Sequence, residues 1–283
     1  MSGLRIKINY CFIVFFLLIT LISLRTMAKD HCQSCNGSAE NNLGIMYRDG
    51  LGGEKNEKKA RELFEKAVSK GNINSLNNLG VMYLYAIGGE KNEKKARELF
   101  EKAVSKGHEK AFNNLGIMYV DGLGGEKNEK KARELFEKAA SKGNIGALYN
   151  LGIMYRDGLG GEKNEKKARE LFEKAASKGN IDALYSLGMM WINGLGGEKN
   201  EKKARELFEK ATSKGNIDAL YNLGVMYGDG LGGEKNEKKA RELFEKAASK
   251  GNIGALYNLG IMYRDGLGGE KNEKKARELF EKA

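Results

Sequence analysis

The sequence predicts an all-α protein, an α/α solenoid of seven 36-residue helix-turn-helix repeats. The first observation is a helical spacing of apolar residues along most of the chain. The second is asparagine before, and glycine after, most of the helical segments. The third is the string GGEKNEKKARELFEKA, which recurs verbatim every 36 residues, starting at Gly52, Gly88, Gly124, Gly160, Gly196, Gly232 and Gly268. Such a period is typical of stacked repeats, in which no unit buries its apolar face alone.

The composition is that of a folded repeat array and not of a disordered chain. Of the 283 residues, 41% are hydrophobic and 31% are charged, and the net charge is +11. Residues 1–28 carry three cations and no acid, which leaves +8 on the rest of the chain. Lysine and glutamate are interleaved in every copy, so the charge indicates solvated helix faces, and no nucleic-acid partner is expected.

Residues 1–28 differ in kind from the repeats and predict a secretory signal peptide. Two cations precede an apolar run that ends at Leu24, and small residues around Ala28 favour cleavage before Lys29. An uncleaved anchor is the alternative, although the apolar run is shorter than the roughly 20 residues of a spanning helix. Both readings place the repeats outside the cytosol, either exported (periplasmic or secreted) or membrane-anchored. Membrane association is expected only if the segment is uncleaved.

Residues 29–35 form a short cysteine-containing linker. Its motif HCQSC contains Cys32 and Cys35, and an exported compartment permits a disulfide between them. A redox C-x-x-C site is the alternative, but no βαβ pattern surrounds the motif. The histidine precedes the cysteines, which is the reverse of the haem attachment signature, and two thiols are too few for a structural zinc site. No metal or cofactor is predicted.

The first helix of each repeat, helix A, is illustrated by the fourth repeat, residues 144–179. Asn144 is the predicted N-cap, Leu148 begins the core face, and Gly158 follows the last helical residue. Gly152 lies in the middle of this helix, where glycine costs about 1 kcal/mol relative to alanine. A glycine at this position in every copy predicts a close helix crossing that leaves no room for a side chain.

The second helix, helix B, follows a glycine-rich turn. The turn GLGGEKN lacks the phosphate-binding P-loop pattern and predicts a helix–helix connection. Asn164 is the predicted N-cap of helix B, and Gly179 follows its end. Glu165 and Arg169 are predicted to form an i, i+4 pair. The apolar stripe consists of Ala168, Leu171, Phe172 and Ala175.

These motifs resemble the Sel-1-like repeat, a tetratricopeptide-related α/α solenoid family. The pattern is A-x-x-x-L-G-x-x-Y-x-x-G-x-G followed by K-A-x-x-x-F-x-x-A-A-x-x-G, and the resemblance covers residues 36–283. It implies a right-handed superhelix and a role as an adaptor for protein assembly. Many members are exported bacterial proteins, some of them in host interaction, and others serve endoplasmic-reticulum quality control. A branch with two cysteines per repeat is associated with β-lactam binding, which is not transferred to these cysteine-free repeats.

The resemblance implies that helix A lines a concave groove, and the residues that differ between copies lie on this helix. An asparagine before the L-G dipeptide would hold ligand main chain, as in tetratricopeptide clamps, or would bond neighbouring helices. The tyrosines two residues before L-G are predicted to bind a partner, with inter-repeat packing as the alternative. Two arginines are available to acidic groups. The predicted partner-binding residues are Asn42, Asn78, Asn114, Asn150, Asn222, Asn258, Tyr149, Tyr185, Tyr221, Tyr257, Arg156 and Arg264.

The predicted function is an exported scaffold that binds peptide or protein partners on its concave face, in host interaction or envelope assembly. The alternatives are a membrane-anchored adaptor in endoplasmic-reticulum protein quality control and a purely structural repeat spacer. No enzyme is predicted, because His31 and His108 belong to no catalytic constellation. The array ends at Ala283 without a polar capping helix, which leaves open a homodimer contact or a truncated chain.

Overall fold

A computed structural model describes residues 36–283 of the chain. The predicted signal peptide and the linker with Cys32 and Cys35 lie outside the described residues. In the part that is described, no helix is both long enough and apolar enough to cross a membrane.

Helices alone form the regular structure of residues 36–283, in which there is no strand. The odd-numbered helices are the predicted helices A: α1 (Ser38–Asp49), α3 (Ile73–Leu84), α5 (Glu109–Asp121), α7 (Ile145–Asp157), α9 (Ile181–Asn193), α11 (Ile217–Asp229) and α13 (Ile253–Asp265). The even-numbered helices are the predicted helices B: α2 (Glu57–Ser69), α4 (Glu93–Ser105), α6 (Glu129–Ser141), α8 (Glu165–Ser177), α10 (Glu201–Ser213), α12 (Glu237–Ser249) and α14 (Glu273–Lys282). The predicted all-α solenoid of helix-turn-helix repeats is confirmed.

The described residues divide into two compact units, one that ends at Glu126 and the other from Lys127 to Ala283. The described part of the first unit contains α1–α5, and the second unit contains α6–α14. Within each unit a helix A packs on the helix B that follows it, and that helix B packs on the next helix A. Each unit is therefore a stack of helices in chain order.

Asparagine side chains cap the helices where the sequence predicts them. Asn164 begins α8 by accepting a hydrogen bond from the backbone N–H of Lys167 at 2.9 Å. Asn144 begins α7 in the same way, and its partner is the N–H of Ala147 at 2.9 Å. The helix ends at Gly158, whose φ of 74° lies in the left-handed region that glycine adopts without strain. These local signals set the helix boundaries.

A phenylalanine on helix B, buried in every repeat but the last, explains the glycine in the middle of helix A. Phe172 has no exposed surface, and a Cβ built on Gly152 would lie 2.6 Å from its Cε1 atom. The predicted close crossing is confirmed, because a side chain at this position would overlap the ring. The same contact joins Gly44 to Phe64, Gly80 to Phe100, Gly188 to Phe208, Gly224 to Phe244 and Gly260 to Phe280.

Consecutive repeats are joined by an arginine on helix B that is buried or half-buried. Arg133 of α6 stacks on Tyr155 of α7, with its Cζ 3.7 Å from the ring centroid, and donates to the backbone oxygen of Glu162 at 3.1 Å. Lys167 of α8 lies over the same ring, with its Nζ 4.1 Å from the centroid. The hydroxyl of Tyr155 lies 2.8 Å from a carboxylate oxygen of Glu137, to which it donates. We call this arrangement of arginine, aromatic ring and lysine the aromatic lock.

The aromatic lock corrects the prediction that Glu165 and Arg169 pair along one helix. Arg169 is buried against Trp191 of the next repeat, and Glu165 pairs with Lys163 at 2.7 Å. Tryptophan replaces tyrosine in the fifth repeat, and the buried Nε of Arg169, which lies against it, has no hydrogen-bond partner among the described residues. The arginine stacks in the same way on the next repeat in the pairs Arg61–Tyr83, Arg97–Tyr119, Arg205–Tyr227 and Arg241–Tyr263. This cation therefore joins repeats.

Candidate functional site

The side of the helices A that carries the variable residues is the candidate binding site, and we call it the helix A face. Two columns of residues define it, the first two positions before each L-G dipeptide and the second one position before it. The first column is Asn41, Asn77, Asn113, Tyr149, Tyr185, Tyr221 and Tyr257. The second column is Asn42, Asn78, Asn114, Asn150, Ser186, Asn222 and Asn258. The columns are amide-rich in the first unit, whereas the second unit carries the four tyrosines.

In the second unit, each tyrosine of the first column rests against the core and also faces solvent. The ring centroids of Tyr149 and Phe172 are 5.7 Å apart, a tilted aromatic contact. The other contacts of this kind are Tyr185–Phe208, Tyr221–Phe244 and Tyr257–Phe280. Tyr149 is half-buried, as are Tyr185 and Tyr221, whereas Tyr257 is 55% exposed. The rings therefore combine a packing role with surface that a partner can reach.

Hydrogen bonds connect the two columns of the second unit from one repeat to the next. The Nδ2 of Asn222 donates to the hydroxyl oxygen of Tyr185, and the Nδ2 of Asn258 donates to that of Tyr221, both at 3.4 Å. Burial and the charge of Asp218 raise the pKa of Tyr185, so its hydroxyl stays neutral at physiological pH. A neutral hydroxyl that accepts from an amide still has its own proton to donate. The amides of Asn222 and Asn258 thus have partners, and the hydroxyl of Tyr185 can still donate a hydrogen bond.

In the first unit, asparagines take the place of the tyrosines and bond one another. The Oδ1 of Asn41 accepts from the Oγ of Ser75 at 2.9 Å and from the Nδ2 of Asn78 at 3.1 Å. The Oδ1 of Asn77 accepts from the Nδ2 of Asn114 at 2.9 Å. Of the two roles that the sequence leaves open for these amides, the structure shows bonds to the neighbouring helix. A ligand at this end would share or replace these bonds.

A cavity of about 420 Å³ lies beside these amides in the first unit. It is lined by Asn41, Ile45, Asn74, Asn77, Asn78, His108, Glu109 and Lys110. Amide donors and acceptors stand here next to one acidic and one basic side chain. The lining is therefore suited to polar groups such as a peptide bond or a side-chain amide.

His108 of this lining caps α5, where most helices A carry asparagine. Its Nδ1 accepts from the backbone N–H of Ala111 at 3.3 Å. Burial and the charge of Lys110 lower the pKa of His108, although Glu109 opposes the shift. Because the unfolded chain then binds the proton more readily, the neutral His108 cap stabilises the fold above the pKa of histidine in the unfolded chain, which is about 6.5. This stabilisation is lost as the pH falls from about 6.5 through the lower pKa of His108 in the folded state.

We expect His108→Asn to remove this pH dependence. An asparagine cap keeps its acceptor at every pH, whereas a protonated imidazole loses it. At pH 5 the variant should be more stable than the wild type by about 0.5–1 kcal/mol, which is the value of a helix N-cap. Urea denaturation of both proteins at pH 5 and pH 8 measures the difference. Free energies that change in parallel with pH in the two proteins would contradict the prediction.

The remaining predicted residues have defined neighbours. Arg156 forms a bidentate ion pair with Asp157, with both N–O distances 2.7 Å, and Arg264 pairs with Asp265 in the same way. The arginine lowers the pKa of each aspartate, so the pairs stay charged to acidic pH. An acidic ligand at these arginines would compete with an intramolecular carboxylate. Asn42 is exposed and accepts from Asn41, and Asn150 is half-buried.

One feature of the helix A face was not predicted from the sequence. Gly228 stands in a variable column in which other repeats carry arginine or an aliphatic residue. In the structure, its missing side chain borders a cavity in the second unit. The signal was the dipeptide Gly-Asp in the sixth repeat where three other repeats have Arg-Asp.

No group of three or more His, Cys, Asp or Glu side chains within residues 36–283 could hold a metal ion.

The family model of the Sel1 repeat matches this chain seven times. The matches cover residues 37–72, 73–108, 110–144, 145–180, 181–216, 217–252 and 253–283. The chain is similar to the crystal structure of a protective antigen present in uropathogenic Escherichia coli strains and displaying an SLR fold. The two sequences are 30% identical, and the TM-score is 0.79. The match covers 91% of this chain and 55% of the antigen, so the chain spans about half the antigen's length.

A second solved structure is a Sel1 repeat protein from Oxalobacter formigenes. It is 28% identical, with a TM-score of 0.76, over 86% of this chain and 96% of its own. No curated protein matches the chain.

Proposed function

The chain belongs to the Sel1 repeat family, and on that premise we propose that it is an exported scaffold that binds protein or peptide segments on its helix A face. Sel1 repeat proteins generally mediate protein–protein interactions, and the scaffold is typically non-catalytic. The observation that carries the proposal is the column of tyrosines in the second unit. It presents the same accessible aromatic side chain in four consecutive repeats.

Tyrosine suits this role because it offers a large contact area with few rotatable bonds and one hydrogen-bonding tip. Next to the tyrosines lie aliphatic side chains that are also half-buried, namely Ile153, Met189, Val225 and Ile261. An extended segment laid across several repeats would contact rings and aliphatic side chains in turn. The hydroxyl protons would donate to its carbonyl groups. Recognition would thus combine apolar contact with main-chain hydrogen bonds.

Export and a role in host interaction are part of the proposal. The predicted signal peptide of residues 1–28 supports export, and the similarity to a protective antigen of a pathogen supports a role at the host interface. N-terminal sequencing of the exported protein should begin at Lys29. A chain that stays in the cytosol would contradict export, and an exported chain that still begins at Met1 would contradict cleavage.

The test of binding is a selection from a random peptide library on the purified protein, followed by affinity measurements on two triple variants. Tyr149→Asn with Tyr185→Asn and Tyr221→Asn places in the second unit the residue that the first three repeats already carry. Truncating aromatic anchors at the centre of an interface typically weakens binding about tenfold to a hundredfold. We therefore expect the asparagine variant to bind a selected peptide at least about tenfold more weakly than the wild type.

The matched control carries phenylalanine at the same three positions. It keeps the contacts of the rings with the core and removes only the hydroxyl groups, so a smaller loss of affinity is expected. Circular dichroism should show unchanged helicity in both variants. Equal affinity of the wild type and the asparagine variant, or no enriched peptide at all, would contradict the proposal.

A further inference from the structure

Gly228 on α11 opens a cavity of about 340 Å³ on the helix A face of the second unit. Five apolar side chains line it, namely Val225, Phe244, Ile261, Met262 and Leu267. A Cβ built on Gly228 would lie 3.6 Å from that of Ala240, an ordinary van der Waals distance. The position therefore tolerates a side chain sterically, and the sixth repeat leaves the space open.

Each of the other six repeats has a side chain at this position, which is aliphatic in three of them (Leu84, Val120 and Ile192) and arginine in the other three. In repeats 1, 4 and 7 the residue is arginine, and the next residue is aspartate. Arg156 illustrates the arrangement, because its guanidinium meets both carboxylate oxygens of Asp157 at 2.7 Å. The fork of a guanidinium matches a carboxylate in this bidentate way, whereas an ammonium does not.

The sixth repeat keeps the aspartate but lacks the arginine. Asp229 is exposed and forms no ion pair within the described part of the chain. Lys235 also lines the cavity; it pairs with Glu237 at 2.7 Å and interacts with the charge of Asp229 only beyond ion-pair distance. Asn258 also lines the cavity, and its Oδ1 accepts no hydrogen bond from residues 36–283. The cavity thus has an apolar floor and acceptors that lack a donor.

We propose that this cavity binds an arginine side chain of a protein partner, an inference that rests on the proposed function above. The aliphatic stem of the arginine lies against Val225 and Ile261, and its guanidinium pairs with Asp229. The chain builds the same pair internally in three sister repeats. A neutral apolar side chain would leave the carboxylate without a partner, and a lysine would lose the second hydrogen bond.

The test uses Nα-acetyl-arginine amide as the probe and its citrulline counterpart, which has the same shape but no charge, as the matched ligand. Both are titrated into the isotopically labelled protein, and backbone amide shifts are recorded by NMR. We expect saturable shifts at Gly228 and Asp229 with the arginine probe at millimolar concentrations. The citrulline compound should bind at least about tenfold more weakly, because it lacks the charge that meets Asp229.

Two variants test whether the arginine probe binds at this position, by exchanging residues between repeats. Gly228→Arg copies the fourth repeat into the sixth, so it should fold normally and lose the shifts at Asp229. Arg156→Gly makes the reverse change and should create new shifts at Asp157. Shifts at Asp229 that persist in G228R, or that are equal for citrulline, would overturn the proposal. The absence of any shift with the arginine probe would do the same.

The outcomes separate this inference from the proposed function. Selected peptides that lack arginine and bind G228R and the wild type equally would refute the arginine cavity and leave the scaffold function intact. An arginine probe that binds at Asp229 in a protein that selects no peptide would support the cavity and refute peptide binding. A selected peptide with an arginine, bound at least about tenfold more weakly by G228R, would support both.

Discussion

Phe172→Ala is expected to lower the free energy of unfolding by about 3–5 kcal/mol. The ring is fully buried between the two helices of the fourth repeat, where it contacts Tyr149 and lies against Gly152. Its removal leaves a cavity that rigid helix packing cannot close. Chemical denaturation measures the loss. Phe280→Ala is the matched control. Because Phe280 is 36% exposed, its substitution should lower the free energy of unfolding by less than half as much.

The same ring decides the effect of a side chain at Gly152. In the wild type, Gly152→Ala is expected to destabilise the protein by about 1–2 kcal/mol, because overlap with Phe172 outweighs the gain in helix propensity. In the Phe172→Ala background the overlap is gone, and the same change should stabilise by about 0.5–1 kcal/mol. Gly228→Ala is the control, because its Cβ meets only an ordinary contact. A Gly152→Ala variant that stabilises the wild type would contradict this account.

The parts of the fold that the sequence predicts correctly depend on local chemistry. Asn144 and Asn164 cap their helices through hydrogen bonds within the first turn, and Gly158 ends a helix by its own backbone conformation. The period of apolar residues predicts the stripe around Phe172 because that stripe lies on one helix. The glycine crossing is also predictable, since a costly mid-helix glycine in every copy requires a packing reason.

The features that the sequence does not predict depend on how neighbouring repeats are placed. Arg169 reads as a surface residue on the pattern of its own helix, yet it is buried against the next repeat. A constant separation between this arginine and the aromatic residue of the next helix A is present in the sequence, but no intrahelical rule connects them. The same holds for the helix A face. Its columns are visible in the sequence, whereas the bond from Asn222 to Tyr185 and the cavity at Gly228 require the distance between helices.

Arg133→Met is expected to lower the free energy of unfolding by about 2 kcal/mol. The substitution keeps an unbranched apolar stem but removes the guanidinium from Tyr155 and from the backbone oxygen of Glu162. A buried charged hydrogen bond and a desolvated cation–π contact each contribute on the order of 1–2 kcal/mol, and the relieved desolvation of the charge offsets part of their sum. Denaturation should show the loss, and hydrogen exchange should place it between α6 and α7.

Two controls test whether the loss depends on the burial of the arginine and on the shape of its guanidinium. Arg277→Met makes the same change where the side chain is 84% exposed, and should alter the free energy by less than about 0.5 kcal/mol. Arg133→Lys keeps the charge but not the planar fork, so it should restore less than half of the loss. If lysine restored the wild-type value, the lock would depend on charge alone. If methionine cost nothing at either position, the contact between repeats would rest on apolar packing alone.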